Sequence, residues 1–388
     1  MLKTFLAVSA VLCAVAIARA QEGRPRTVGR AEQAGRKSDA LPAPEEVVRV
    51  RTRVVFLDAL VKDRRTNEPV RDLSPESFQV LDEGRPRRLS YFTREGDSRR
   101  PLALLLFVDI WAVYGHKLLK DEAALERLAA ALSDLAPEDE VGLMTTWVEE
   151  GKQGEPVMAL RVLGDFTRDR AATKAALLSI PKLIGEQQRV LEEIAEKQAR
   201  LADDLRLDLY WKLSGIADEV IPLAKRFPSS QFVVVGVTDD LFDLKKGERE
   251  EVTERALRAG LIYDALVFNK SLGARVFFGM FNKIWMGPRG LSVHASDEMA
   301  GATGGEVAHV GRPQDLGEGL SRFIKSLTAR YSLGFTLAET EPDDGRLHPL
   351  SVKVAARDAR GKERRLLVKA RRGYYVASVP AAAPAPKR

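Results

Sequence analysis

Two runs of this sequence, Leu102–Asp109 and Gln231–Asp240, constrain the fold most. "LALLLFVD" and "QFVVVGVTDD" are almost continuously apolar, and each then ends in aspartate. Such a run lacks the alternation of a strand with one wet face, so both faces need cover. The surrounding texture supplies it. Lys117–Leu135, Glu248–Leu272, Ser292–Ala302 and Gln314–Ala329 have the periodicity of helices. Val141–Trp147, Val157–Leu163, Ala274–Phe281 and Glu306–Val310 read as strands. The helix at Ser292 stops at "TGG", where Gly304 or Gly305 can take the left-handed capping conformation. Strands alternating with helices imply an α/β fold with a doubly wound, mostly parallel sheet.

The two ends of the chain have a different texture. "VVRVRTRVVFLDALVKD" and "FQVLDEGRPRRLSYF" read as strands joined by turns. So do "RYSLGFTLA", "HPLSVKVAAR" and "ERRLLVKARRGYYV". Neither group alone makes a sheet with both faces covered, but together they can form a small β-sandwich. The expected organisation is therefore a sandwich from residues 46–98 and 327–377, with the α/β domain, 99–326, between. Residues 1–20 read as an export signal: Lys3 precedes an apolar stretch, Phe5–Ile17, and "ARA" supplies small residues before Gln21. That stretch is too short to span a bilayer, and no later segment qualifies. Residues 21–45 read as a disordered leader and 378–388 as a Pro/Ala-rich disordered tail. The expected location is the periplasm or outside the cell.

Composition narrows the function. The net charge is +6, but basic and acidic residues are interspersed except near both ends, without the basic stripe and aromatic partners of a nucleic-acid surface. The single cysteine, Cys13, lies in the signal, so a mature chain has no disulfide, thiolate metal site or cysteine nucleophile. His116, His294, His309 and His348 show no metal spacing, and no nucleophile-elbow or phosphate-loop motif occurs. These exclusions point away from an enzyme.

Several stretches resemble exported bacterial proteins related to von Willebrand factor A domains. "VKDRRTNEPVRDLSPESFQVLDEGRPRRLSYF" is similar to that family's opening segment, "PLALLLFVDI" to its first A-domain strand and "VVVGVTDD" to its "TDG" strand. "MAGATGGEV" is similar to its late helix-to-strand turn, and "ARYSLGFTL" and "VKARRGYYV" to its closing strands. The match keeps its order over most of the mature chain. The resemblance implies an A-like domain associated with a small β domain, and a role in binding or assembly.

It also implies a place for a cation. Such domains hold Mg²⁺ or Mn²⁺ with a D-x-S-x-S loop, a threonine on a later loop and a second aspartate. This chain keeps the aspartates at Asp109 and Asp239, but Trp111 and Val113 stand at the serine positions, and no threonine occurs near Leu207. Two carboxylates alone hold a hydrated cation only weakly. The expectation is a degenerate site with no metal or other cofactor, Asp109 and Asp239 being its vestiges. On the other reading of these positions, Asp109 caps the loop that follows it. Trp111, Trp147, Trp211 and Trp285 all fall near the sheet edge where ligands bind, so with Asp240 they form a candidate contact surface for a protein partner. The alternative is that the rings plug the vacated site. A further departure from the family is Glu186–Lys225, read as a helical insertion whose apolar stripe covers its own sheet, a partner helix or a second copy. The sequence thus describes an exported, non-enzymatic binding module, metal-independent, with two alternatives: metal-dependent adhesion through Asp109 and Asp239, and a hydrolase of unknown type.

Overall fold

The computed structural model describes residues 53–94, 99–112, 115–152, 156–199, 211–240, 242–244, 247–268, 290–292, 295–338 and 344–376. The expected signal, leader and tail lie outside them. The chain begins its described part with β1 (Arg53–Asp63), β2 (Phe78–Asp82), β3 (Arg85–Arg87) and β4 (Tyr91–Thr93). These pair with strands from the other end: β14 (Tyr331–Leu337), β15 (His348–Val354), β16 (Leu366–Ala370) and β17 (Gly373–Tyr374). One sheet has the order β16-β1-β14-β4 and the other β17-β15-β2-β3. The pairing of β1 with β14 sets Val55 opposite Phe335 and Leu57 opposite Leu333. Period-two alternation turns Val55, Leu57, Leu333 and Phe335 inward, against Val80 and Tyr331, while Val54 and Phe56 face solvent. The core hydroxyl of Tyr331 donates to Val70 O (2.9 Å) and accepts from Leu73 N (3.1 Å), so its burial leaves no polar group unpaired.

Between these halves runs the α/β part. Its strands are β5 (Leu102–Val108), β6 (Glu140–Glu150), β7 (Pro156–Thr167), β9 (Gln231–Thr238), β11 (Ile262–Phe268) and β13 (Val307–Val310), in the order β13-β11-β9-β5-β6-β7. All neighbours are parallel except the edge strand β7, which is antiparallel to β6. Leu104, Leu106 and Val108 of β5 project to one side and Ala103, Leu105 and Phe107 to the other. The first side is covered by α2 (Glu122–Ala131), α3 (Arg170–Leu178), the start of α4 (Ile180–Ala199) and α8 (Pro313–Thr328). The second is covered by α5 (Leu213–Val220), α6 (Glu248–Ala259) and α7 (Ala295–Thr303). The sandwich and the α/β part belong to one compact unit. They are pinned by Lys62 of β1, whose Nζ lies 2.8 Å from both carboxylate oxygens of Glu306, just before β13.

The structure corrects several boundaries. The helix expected over Lys117–Leu135 is two: α1 (His116–Leu119) and then α2, because Asp121 caps α2 by accepting from Ala123 N (3.0 Å). The helix expected over Glu248–Leu272 ends at Ala259, where Gly260 turns the chain at φ 66°. Ile262–Phe268 is then a strand buried at all seven positions. A run that is apolar but for Asp264 carries no clear period, so it reads equally as a buried helix. The strand expected at Ala274–Phe281 lies outside the described residues. The helical insertion expected at Glu186–Lys225 is not one helix. α4 starts earlier, at Ile180, and α5 lies on the opposite face of the sheet. Ile194, Ile216 and Val220 of the predicted stripe are buried in this chain, so they offer no surface to a second copy. Pro222 starts a 3₁₀ turn, Ile221–Arg226.

Candidate functional site

Counted in chain order, the six strands run 3-2-1-4-5-6 across the sheet, as β7, β6, β5, β9, β11 and β13. The order reverses between β5 and β9, and ligands of open α/β sheets bind at the carboxyl ends of the strands beside such a reversal. Asp109 follows β5 and Asp239 follows β9, so the topology brings both expected aspartates to that place.

There the Asp109 carboxylate is enclosed. It is 4% exposed, and Asp239 and Asp240 are 2% and 1% exposed. Oδ1 of Asp109 accepts from Thr146 Oγ1 (3.0 Å) and from Trp111 N (3.0 Å), and Oδ2 accepts from Thr238 Oγ1 (3.4 Å). Each threonine hydroxyl also accepts from the backbone: Thr146 Oγ1 from Ile110 N and Thr238 Oγ1 from Asp240 N, both at 3.0 Å. Asp109 N continues the ladder to Val237 O (2.9 Å). Thr146 ends up beside Asp109 because β6 is the parallel neighbour of β5, and Thr238 because it is the last residue of β9. The bond to Trp111 N is the Asx-type cap of the following loop. Thr146 and Thr238 were absent from the sequence reading. Thr238 carries a signal, as a hydroxyl residue at the carboxyl end of the strand beside β5, whereas Thr146 lies within β6 and carries none.

Burial pushes the Asp109 carboxyl up to about 7, and the nearby Asp239 charge adds to this against the three donated hydrogen bonds. The sign of the stability effect follows. The folded carboxyl binds its proton more tightly than an unfolded aspartate near 3.8, so the folded state binds more protons between about 4 and 7. Stability from this group is greatest below pH 4 and is lost as pH rises through 7. Asp109→Asn should therefore flatten the decline of the urea midpoint between pH 5 and 8, by up to about 1.4 kcal/mol per pH unit. An unchanged slope would show that the carboxyl is ionised throughout. Buried Asp264, also raised to about 7 mainly by desolvation, titrates in both proteins and cancels in the comparison.

The remaining candidates separate. Trp147 is a core residue, not a partner contact: β6 continues to Glu150, so its ring lies mid-strand among the helices and is 7% exposed. The Arg161 guanidinium sits 3.7 Å over it. Asp240 is not a partner contact either. It has φ 59°, and its Oδ1 accepts from Ser296 N (2.9 Å) in the first turn of α7. Trp111 is half-buried against the cluster under α5, α6 and α7, and its Nε1 is buried without a hydrogen-bond partner among the described residues. Trp211, expected on a helix, instead begins β8 (Trp211–Lys212). β8 pairs with β10 (Phe242–Leu244), which also pairs with β12 (Gly290–Ser292). Trp285 and the loop near Leu207 lie outside the described residues. A ring does fill space near the strand ends, but it is Phe268 of β11, 1% exposed, lying so close to Gly115 that a Cβ there would meet it at 2.0 Å. Reading Ile262–Phe268 as helix concealed it.

The residues present do not fit a hydrated divalent cation. Mg²⁺ keeps several waters and needs open oxygen ligands in octahedral array. Here the Asp109 oxygens receive protein donors, the two hydroxyls already give and accept within the network, and solvent is excluded. Among the described residues no three His, Cys, Asp or Glu side chains are grouped to hold a metal.

No protein-family model matches the chain, and no curated protein matches it. Solved structures do. A von Willebrand factor type A protein from Catenulispora acidiphila is 11% identical with a TM-score of 0.36, over 77% of this chain and 75% of that one. The human COPII-coat protein Sec24c is 12% identical with a TM-score of 0.33, over 78% of this chain and 50% of that one. The SpRpn10 VWA domain is 13% identical with a TM-score of 0.30, over 57% of this chain and 93% of that one. These scores are low, and the fold is read from the strand order instead. With its 3-2-1-4-5-6 sheet, single antiparallel edge strand and aspartates at the point of reversal, the α/β part is an open, doubly wound, mostly parallel α/β fold.

Proposed function

We propose that this chain is an exported protein-binding or assembly module, not an enzyme, and that it works without a metal ion. The observation that carries this reading is the closed Asp109 network, in which Thr146, Thr238 and Trp111 N donate to the carboxylate oxygens that would otherwise be open to a cation. On this reading the point of reversal has become part of the core, and binding is done by other surfaces. The export signal read at residues 1–20 supports a partner in the envelope or outside the cell. Affinity capture from an envelope extract tests the reading, run in parallel with Mg²⁺ and with EDTA. The same partner should be retained in both. A partner released by EDTA and restored by Mg²⁺ or Mn²⁺ would favour metal-dependent adhesion through Asp109 and Asp239.

A further inference from the structure

The sandwich carries an unbalanced charge at one end. Residues 63–72, the turn after β1, and 353–366, the turn before β16, together hold nine Arg or Lys against five Asp or Glu. The two turns are joined: Arg64 N donates to Arg365 O (2.9 Å), and Arg364 lies 2.8 Å from Asp72. Four of the five carboxylates are already engaged. Asp63 accepts from Arg65 N (2.8 Å) and Thr66 N (3.1 Å), Asp358 accepts from Arg360 N and Lys362 N (both 2.9 Å), Asp72 meets Arg364, and Glu68 lies 2.6 Å from Lys325. The side chains of Arg65, Arg360, Lys362 and Arg365 are left exposed around the tip, which turns at Gly361 with φ 76°.

We propose that this basic tip is a docking surface for an acidic protein segment, one rich in Asp and Glu. The proposal rests on the protein-binding reading above and names the chemistry of the partner. Three of the four cations are arginine, whose planar fork matches a carboxylate with two parallel hydrogen bonds. The tip has no large exposed apolar side chain to enter a bilayer, since the exposed Val54, Phe56, Tyr91, Val157, Val162 and Leu347 all lie elsewhere. It also has no aromatic ring on which a base could stack.

The test uses the full chain in EDTA and a labelled oligo-glutamate peptide, read by fluorescence anisotropy. The peptide should bind at low salt and weaken by about tenfold or more when salt is raised past physiological ionic strength. The triple variant Arg360→Glu, Lys362→Glu, Arg365→Glu should lose binding by a similar factor while melting like the parent. Arg85→Glu with Arg88→Glu, exposed arginines around β3, should leave binding almost unchanged. No binding by the parent, equal binding by the triple variant, or equal loss in the Arg85 and Arg88 control would overturn the proposal. Preference for phosphatidylglycerol vesicles over the peptide would also overturn it, in favour of a lipid surface. A negative result here leaves the EDTA capture result standing, because a defined peptide and no metal are used.

Discussion

Lys62→Ala is expected to lower the free energy of unfolding by about 3–5 kcal/mol. Lys62 is 1% exposed, and its ammonium bonds both oxygens of Glu306, which is itself 7% exposed. Removing the ammonium leaves a carboxylate enclosed between sandwich and sheet. Lys369, 3.5 Å away and partly exposed, compensates only weakly. Burial is the largest single influence and pushes the Glu306 carboxyl up, but the hydrogen bond and charge of Lys62, with smaller contributions from neighbours such as Lys369, together outweigh it and hold the group below the usual range. A depressed carboxyl contributes stability above its unfolded value near 4.5 and loses it as pH falls. Without Lys62 the sign reverses, so the variant should be most impaired at neutral pH and recover in part toward pH 5. Lys62→Met combined with Glu306→Leu should cost far less than the sum of the single changes, because no charge is then stranded. Urea denaturation of the four proteins at pH 7 measures this coupling. Additive costs would mean that the pair is solvated.

Gly305→Ala is the second large effect, expected at about 3 kcal/mol or more, at the top of the range for overpacked sites. A Cβ on Gly305 would lie 1.9 Å from Tyr263 O and 2.7 Å from Asp264 Oδ1. Those atoms belong to the second and third residues of β11, a strand paired on both sides, and Gly305 N is committed to Ala300 O (2.7 Å), so neither side can retreat. Gly260→Ala is the comparison. Gly260 has φ 66° with open space around it, so only conformational strain of about 1–2 kcal/mol applies. Equal melting points for the two variants would contradict the close approach.

These two glycine roles bear on what the sequence could tell. "TGG" marked a helix end, and Gly304, with φ 82°, is indeed the left-handed residue there. Nothing local distinguishes it from Gly305, whose need arises from a strand forty residues earlier. The sheet was legible for the same reason that β9 was read from Gln231 to Thr238 as found: continuous apolar runs permit few fates. β11 was lost because its neighbourhood offered a helix of equal plausibility. At the point of reversal, Asp109 and Asp239 were legible as addresses through the resemblance. Their surroundings were not, since Thr146 and Thr238 reach Asp109 from 37 and 129 residues away. Tryptophans near strand ends looked like a surface, yet Trp147 is core and Phe268, which drew no notice, fills space near the strand ends. Sequence position gives the end of the sheet, and only packing gives the side chain's direction.

Whether that end of the sheet still takes a cation is the central question, and thermal unfolding answers it most directly. A ligand that binds only the native state raises the melting point, the stabilisation growing as the logarithm of one plus its concentration over its dissociation constant. With Mg²⁺ or Mn²⁺ added in millimolar amounts against EDTA, the melting points of the parent and of Asp109→Asn should coincide with and without metal. A concentration-dependent rise in the parent that Asp109→Asn abolishes would contradict the closed network and restore the cation site.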